Sequence, residues 1–540
     1  MTGGEAIAAA LLQHGVDTVF AIPGVQTYGL FDAFHRAGDR LRVIGPRHEQ
    51  TTAYMAFGYA QSTGRPGVYS VVPGVGMLNS AAALASAYGA SSPVVCLTGD
   101  IPSGFIGRGL GHLHELPDQA ATLRTLTKWS ASIDHPGQVP DLVAEAFAQA
   151  TGGRPRPVAL AMPWDVFTQR APVGRAVPRQ AAPPVLDGDL VERAAIMLRQ
   201  AANPMIMVGG GARHASAEVL ELAGYLQAPV VSFRGGRGIV SDEHPLGFSC
   251  AAGFERWAET DVLLGIGSRL ELQWFRWPDR PANLQVVNVD IDPAQVRRLK
   301  PTIGIVADAR DAAAQLTIAL RAAGARRKAR TDEFTQLKQR VDKEAQRVAP
   351  HVQFLAAIRE VLPRDGFFVE EICQAGFASY FAFPVYEPRR FITCGPQGTL
   401  GFGFPTALGV QAAHPGRQVV SVTGDGGFLF GLQDLATAVQ YDLNLVTVVF
   451  NNDAYGNVWN DQRRLFDGRT IGSELRNPDF VALAEAFGAA GLRASTPDEL
   501  RTVLDRALCA GRPAVIEVPV DRQGGASPWE FVMPTSRTKE

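Results

Sequence analysis

The sequence predicts an α/β protein of three doubly wound parallel-sheet domains, and three observations carry that expectation. The stretch Val419 to Gly456 runs from an apolar β-branched segment through a glycine turn and a helical pattern to a second apolar segment. Gly67 to Asp100 repeats that order. Between residues 188 and 325, short apolar runs again alternate with helical spacing. Units of strand, helix and strand at this length lay their strands parallel, with the C-terminal ends on one edge.

In chain order, Thr2 can cap a helix through Leu12, and Val19 to Ile22 is a strand that ends at Pro23-Gly24. Arg42 to Ile44 is a second strand, with Arg47-His48-Glu49 at its exit and a helix from Thr51 to Ser62 after it. The residues leading into the two repeats also match, AFGYAQSTGRPG before one and FGFPTALGVQAAHPG before the other, so the pair reads as an internal duplication. Ala171 to Gly188 is a proline-bearing linker. The middle block has strands at Pro204 to Val208, Val230 to Phe233, Val262 to Ile266 and Val286 to Asp290. Its Gly209-Gly210-Gly211-Ala212-Arg213-His214 falls short of a dinucleotide fingerprint at the last position. Ala322 to Val348 is expected as a charged helical linker, and a new domain starts near Pro350. The tail after Asp521, with Trp529 and Phe531, is expected to fold over a site.

Composition narrows the class. At 540 residues the chain exceeds one core, and 46% hydrophobic with 19% charged residues describes an ordinary globular protein. Net charge is −2, and the basic run Arg326 to Arg330 is expected as a solvated face of a linker helix, so no nucleic acid is expected as a partner. Cys96, Cys250, Cys373, Cys394 and Cys509 form no CxxC, which points away from disulfides and zinc. Met1 to Gly15 lacks a basic, then apolar, leader, and no segment reaches spanning length; a cytoplasmic protein without a membrane partner is expected.

The chemistry concentrates at 419–456. Asp425 stands just past the first strand and Asn452 just past the second, so neighbouring strands would bring both oxygens to the crevice where open α/β sheets bind ligands. Two oxygen donors suit Mg²⁺, which keeps its other positions for water or phosphate. Gly424, Gly426 and Gly427 allow close approach of a phosphate to the backbone, and the following helix offers its N–H groups. This reads as a Mg-diphosphate cradle. The first copy has Gly74-Val75-Gly76 where the second has Gly424-Asp425-Gly426, so only the C-terminal copy can hold the metal, and Glu49 and Asn79 serve another duty.

From GDG at 424–426 to the Asn451-Asn452 pair, the sequence resembles the thiamine-diphosphate enzymes, and within them the acetolactate synthase group. The resemblance spans essentially the whole chain. It implies a thiamine-diphosphate-binding fold twice, flanking a Rossmann-like central domain: a pyrimidine-binding domain at 1–170, a central domain at 188–325 and a diphosphate domain at 350–540. Mg²⁺ would be bound by Asp425, Asn452 and the carbonyl of Ala454. Pro23, Gly24, Gly74, Asn79, Gln374, Tyr455 and Gly456 are further cofactor-binding positions it implies. Glu49 matches the glutamate that shares a proton with the cofactor's pyrimidine ring, a task for a carboxyl group in a water-poor pocket. In Gly395 to Gly403, Leu400 would be the wedge beneath the bent cofactor and the Gly398 carbonyl the acceptor for its amine. The two halves of one site would come from two subunits of a homo-oligomer.

Departures fall where substrate would sit. His114, in His112-Leu113-His114-Glu115, stands where the family has glutamine; it is a candidate catalytic hydrogen-bonding group. The two histidines would share a strand face if that segment is extended. Ala375 replaces a histidine, Trp164 a lysine, Asn457 a methionine and Asp461 a tryptophan. The function implied is a thiamine-diphosphate- and Mg-dependent lyase or carboligase. It would act on a 2-oxo acid or 1,2-dicarbonyl compound through a cofactor carbanion and enamine, and would not be the housekeeping branched-chain enzyme. A ring-cleaving 1,2-diketone hydrolase of the same family is an alternative. A dinucleotide-dependent oxidoreductase and a non-catalytic regulatory relative are alternatives from other classes. Gly209 to Gly211 and Arg269 are compatible with FAD, while bulky Arg234 and Arg237 weigh against it, so FAD is left open.

Overall fold

The computed structural model of the chain describes residues 1–324 and 327–536, so Arg326 and the expected domain limits at 325 and 540 fall outside the described residues. Three six-stranded sheets follow one another, and every strand pairing within them is parallel. The apolar β-branched runs supply these strands, and the central ones are buried at all but, at most, their last residue, as sheets covered on both faces require.

The first sheet runs, in space, Arg42–Ile44, Thr18–Ala21, Gly67–Val71, Val94–Asp100, Val158–Pro163, Trp129–Ser132. The last runs Phe391–Ile392, Phe367–Glu370, Val419–Gly424, Val446–Asn451, Ala514–Pro519, Ala490–Arg493. Both follow one permutation: second, first, third, fourth, sixth, fifth. The duplication read from the glycine turns therefore extends to the topology of both sheets. The middle sheet has Pro204–Val208 beside Val262–Ile266 at its centre, the order of a doubly wound dinucleotide-binding fold, with its ligand crevice where the strand order reverses.

Several local expectations change. The first helix is Gly3–Gln13, closed by a reciprocal cap in which the Thr2 hydroxyl accepts from Glu5 N–H and the Glu5 carboxylate accepts from Thr2 N–H. The glycine turn of the last sheet winds into a one-turn helix, Asp425–Phe428, and the helical pattern after it divides into a tight turn, Leu432–Asp434, and a helix, Leu435–Gln440. His114 has φ of +65°, so its segment is not extended and the two histidines share no strand face. Residues 327–330 are not helical; Arg327 donates to the carbonyls of Leu198, Arg199 and Ala201, where helix Gly188–Gln200 leaves acceptors unpaired. The tail does fold back: Trp529 lies against Phe377 at 4.6 Å and Phe531 stacks on Phe381 at 4.7 Å. Among the described residues no helix is long and apolar enough to cross a membrane.

The outer sheets are joined through helices Glu49–Thr63 and Gly403–Ala413, which meet backbone to backbone. A Cβ on Gly58 would sit 2.2 Å from the Thr406 carbonyl oxygen, and one on Gly409 2.0 Å from that of Met55. The Phe402 ring fills the junction edge-on to Tyr54 and Phe57. Replacing Gly409 with Ala should therefore cost about 2 kcal/mol by overpacking, measured as a lower urea midpoint. Gly416→Ala, which enters open space, should leave the midpoint unchanged.

Candidate active site

Val419–Gly424 and Val446–Asn451 are neighbours, with Gly424 opposite Phe450, so Asp425 and Asn452 emerge at the same sheet edge. Asp425 Oδ2 lies 3.3 Å and Asn452 Oδ1 3.2 Å from a single donor, the N–H of Ala454. Gly426 N–H donates to the other carboxylate oxygen at 2.9 Å. Asp425 is buried, which raises its pKa, and among the described residues no Lys, Arg or His pairs with it. The surrounding backbone is interlocked: a Cβ on Gly426 would fall 2.5 Å from the Tyr455 ring, and one on Gly456 2.5 Å from the Asn452 amide nitrogen. Among the described residues no three His, Cys, Asp or Glu side chains group as a metal site. A cation at Asp425 would thus draw on amide, carbonyl, water or phosphate oxygens, a donor set that fits Mg²⁺ with a diphosphate.

Two residues absent from the sequence reading hold this loop. Asn477 donates to Asp425 at 2.7 Å, Asn451 at 2.9 Å and Asp453 at 3.1 Å, while its own buried amide oxygen has no partner. Arg522 donates to the carbonyls of Asn452 at 3.1 Å and Asp453 at 2.8 Å. Both are brought in from later segments.

Gly395 and Gly398 have left-handed backbones, φ +67° and +57°, which give the loop before Leu400 its shape. Glu371, at the exit of Phe367–Glu370, fixes the end of that loop. Its buried carboxylate accepts from the N–H groups of Gly401 and Gly403, each at 2.8 Å, and from the Thr423 hydroxyl at 3.1 Å. Burial pushes its pKa up to about 7 despite these donors. Leu400 is half-buried, and Gln374 begins helix Gln374–Ala382 with Cys373 as its cap.

The first sheet presents the other set. Glu49 begins helix Glu49–Thr63, is half-buried, and accepts from the Asn79 amide at 3.0 Å. Val75 and Leu78, on the short helix that carries Asn79, are 52% and 45% exposed. Gly74, φ +58°, passes so close to His114 that a Cβ would lie 2.2 Å from its carbonyl oxygen. His114 Nδ1 is buried without a partner, and Gln26 donates to the Leu113 carbonyl at 3.0 Å. Pro23 and Gly24 follow strand Thr18–Ala21; a Cβ on Gly24 would strike Val72. Glu49 and Asp425 are thus held by separate partners on separate sheets.

A cavity of about 340 Å³ lies at the switch point of the middle sheet, lined by Gly209 to Gly211, Arg213, Asp290 and Asp308. Arg213 and Arg269 also line it and have no carboxylate partner among the described residues; burial lowers them to about 9 and about 10. On one wall Glu271 accepts from both Arg234 and Arg276 at 2.8–3.0 Å.

Residues 1–122 match the N-terminal TPP binding domain of the thiamine pyrophosphate enzymes, residues 191–316 their central domain, and residues 371–518 their C-terminal TPP binding domain. A "probable 2-ketoarginine decarboxylase" of Pseudomonas aeruginosa is 35% identical, over 93% of this chain and 90% of its own length. A "probable acetolactate synthase large subunit" of Methanocaldococcus jannaschii is 31% identical, over 96% and 92%. The large subunit of Escherichia coli acetolactate synthase isozyme 3 is also 31% identical, over 94% and 92%. With all three domains matched and such relatives along nearly its full length, the chain belongs to the thiamine pyrophosphate enzymes, in their acetolactate synthase-like group.

Proposed function

We propose that this enzyme is a Mg²⁺-dependent lyase or carboligase of a 2-oxo acid or 1,2-dicarbonyl compound, with residues 1–170 serving the cofactor's pyrimidine and 350–540 its diphosphate. The observation that carries the reading is the convergence of Asp425 and Asn452 on the Ala454 N–H, at the strand ends of one sheet copy, while Glu49 and Asn79 pair on the other. Thiamine diphosphate, when bound, supplies a nucleophilic carbon that adds to a substrate carbonyl. Asp425, Asn452 and the Ala454 carbonyl hold the metal, with Asn477 and Arg522 keeping their loop in place. Glu49, oriented by Asn79, holds the proton at the pyrimidine nitrogen. Leu400 and the Gly398 carbonyl support the bent cofactor, and His114, with its unpaired Nδ1, faces substrate as a hydrogen-bonding group.

The exposed Val75 and Leu78 beside Glu49 are apolar surface that a second copy of the chain would cover, in keeping with a site completed across a homo-oligomer. The name of the Pseudomonas relative favours decarboxylation of a 2-oxo acid with a cationic side chain. Asp461, one helical turn beyond Asn457, accepts from the Asn457 amide at 3.3 Å and from Arg464 at 3.1 Å, and a cationic substrate end would compete with Arg464 for it. The middle cavity, where Arg213 and Arg269 have no carboxylate partner among the described residues, suits a nucleotide diphosphate; FAD is one candidate, and the Arg234–Glu271–Arg276 cluster occupies part of the wall it would meet.

Glu49→Gln should lower turnover by about 100-fold or more while leaving thiamine diphosphate affinity, measured by calorimetry, unchanged. Asp425→Asn should do the opposite first, weakening Mg²⁺-dependent cofactor binding by about 100-fold; normal binding in that variant would remove the metal assignment. CO₂ release measured over a panel of 2-oxo acids should be fastest for those with a guanidino or amino terminus, and Asp461→Asn should erase that preference. ADP or FAD should raise the thermal midpoint of the protein as isolated, and Arg213→Ala should abolish the shift; a yellow preparation identifies FAD.

A further inference from the structure

Asp434 is fully buried at the end of the turn Leu432–Asp434, in the diphosphate-side sheet, yet its carboxylate serves the other end of the chain. One oxygen accepts from the backbone N–H of Arg47 at 2.6 Å and the other from the Thr51 hydroxyl at 2.5 Å. Thr437 adds a third donor at 2.7 Å. Among the described residues no Lys or Arg pairs with it, so its acceptor capacity goes to these neutral donors. The same patch grips the segment twice more: Gly45 N–H donates to the Tyr441 hydroxyl at 3.0 Å, and the Arg47 guanidinium to Gln440 at 2.5 Å.

Arg47 and Thr51 bracket Glu49, two residues before it and two after. One carboxylate from a different sheet thus fixes the backbone on both sides of the glutamate, and Asn79 fixes its side chain. We propose that Asp434 is a positioning residue for Glu49: it sets the strand exit and first helical turn from which the glutamate reaches the cofactor. The proposal rests on the reading of Glu49 as the proton-holding group. An acceptor-only group suits this position, because both the Arg47 N–H and the Thr51 hydroxyl donate to it. Asparagine could serve only if Thr51 reversed its hydroxyl to accept.

The test uses the full chain. Hydrogen–deuterium exchange of backbone amides is followed in the cofactor-free protein, and exchange of the thiazolium C2 proton in protein loaded with thiamine diphosphate and Mg²⁺. In Asp434→Ala, the peptide over 45–52 should lose protection while those over 419–427 and 446–454 keep theirs. C2 exchange should fall about tenfold to a hundredfold, with cofactor affinity within about threefold. Thr51→Val, which removes one donor at nearly constant volume, should give the same pattern more weakly, and decides the matter if Asp434→Ala does not fold. Asp434→Asn, which keeps an acceptor for the Arg47 N–H but needs the Thr51 hydroxyl reversed, should lose less protection over 45–52 than Asp434→Ala. Unchanged protection at 45–52, unchanged C2 exchange despite lost protection, or loss of protection in all three peptides together would overturn the proposal. Normal C2 exchange in Glu49→Gln, with 45–52 still dependent on Asp434, would instead defeat the reading of Glu49.

Discussion

The parallel pairing of Val419–Gly424 with Val446–Asn451 is the constraint on which the rest of the molecule depends. Side chains just past the ends of two paired strands cannot drift apart by more than the strand spacing allows. Asp425 and Asn452 consequently share the Ala454 N–H, and Asn477 and Arg522 hold the loop on which they meet. The glycines at 426 and 456 follow from the same closeness, since a single extra carbon at either would displace Tyr455 or Asn452.

Duplication explains how one chain carries two half-sites of different chemistry. Both outer sheets use the same strand permutation and place their glycine turns at the same edge. In the first copy the carboxylate is gone from the turn, and the space beside Gly74 is taken by the His114 backbone instead. What that copy retains is Glu49 with its Asn79 partner. The Asp425–Asn452 pair and the Glu49–Asn79 pair thus stand in corresponding copies of one repeated unit.

Among the described residues, buried carboxylates with no Lys or Arg partner recur where a loop is held. Asp425, Asp434 and Glu371 each collect backbone N–H groups or hydroxyls and amides, and burial raises the pKa of each. Such groups trade a solvation cost for directional hydrogen bonds with fixed donors, which suits loops that must hold one shape. Glu371 joins the Leu400 loop to Thr423, and Asp434 joins the Glu49 segment to the opposite sheet. The contact between helices Glu49–Thr63 and Gly403–Ala413, made through Gly58 and Gly409, provides the stiff frame behind both.

The strands, the duplication and the first helix cap were legible because their signals are local: apolar runs, Gly turns and a Thr-to-Glu spacing act within a few residues. Asp425 and Asn452 were legible for a related reason, as strand ends in a parallel unit have a known common edge. The bend at His114 was not, because the family of extended conformations and a left-handed turn admit the same His-Leu-His sequence until Gly74 closes against it. Nor could a basic run reveal that Arg327 would find the open carbonyls of a helix more than a hundred residues earlier. By itself, then, the sequence determined the α/β class, the repeated unit and the common sheet edge of Asp425 and Asn452. Only the tertiary structure brought Asn477 and Arg522 to the Asp425 and Asn452 loop, Glu371 to the Leu400 loop and Asp434 to the Glu49 segment, because a hydrogen bond across such sequence distance leaves no periodicity to read and exists only once the sheets have packed.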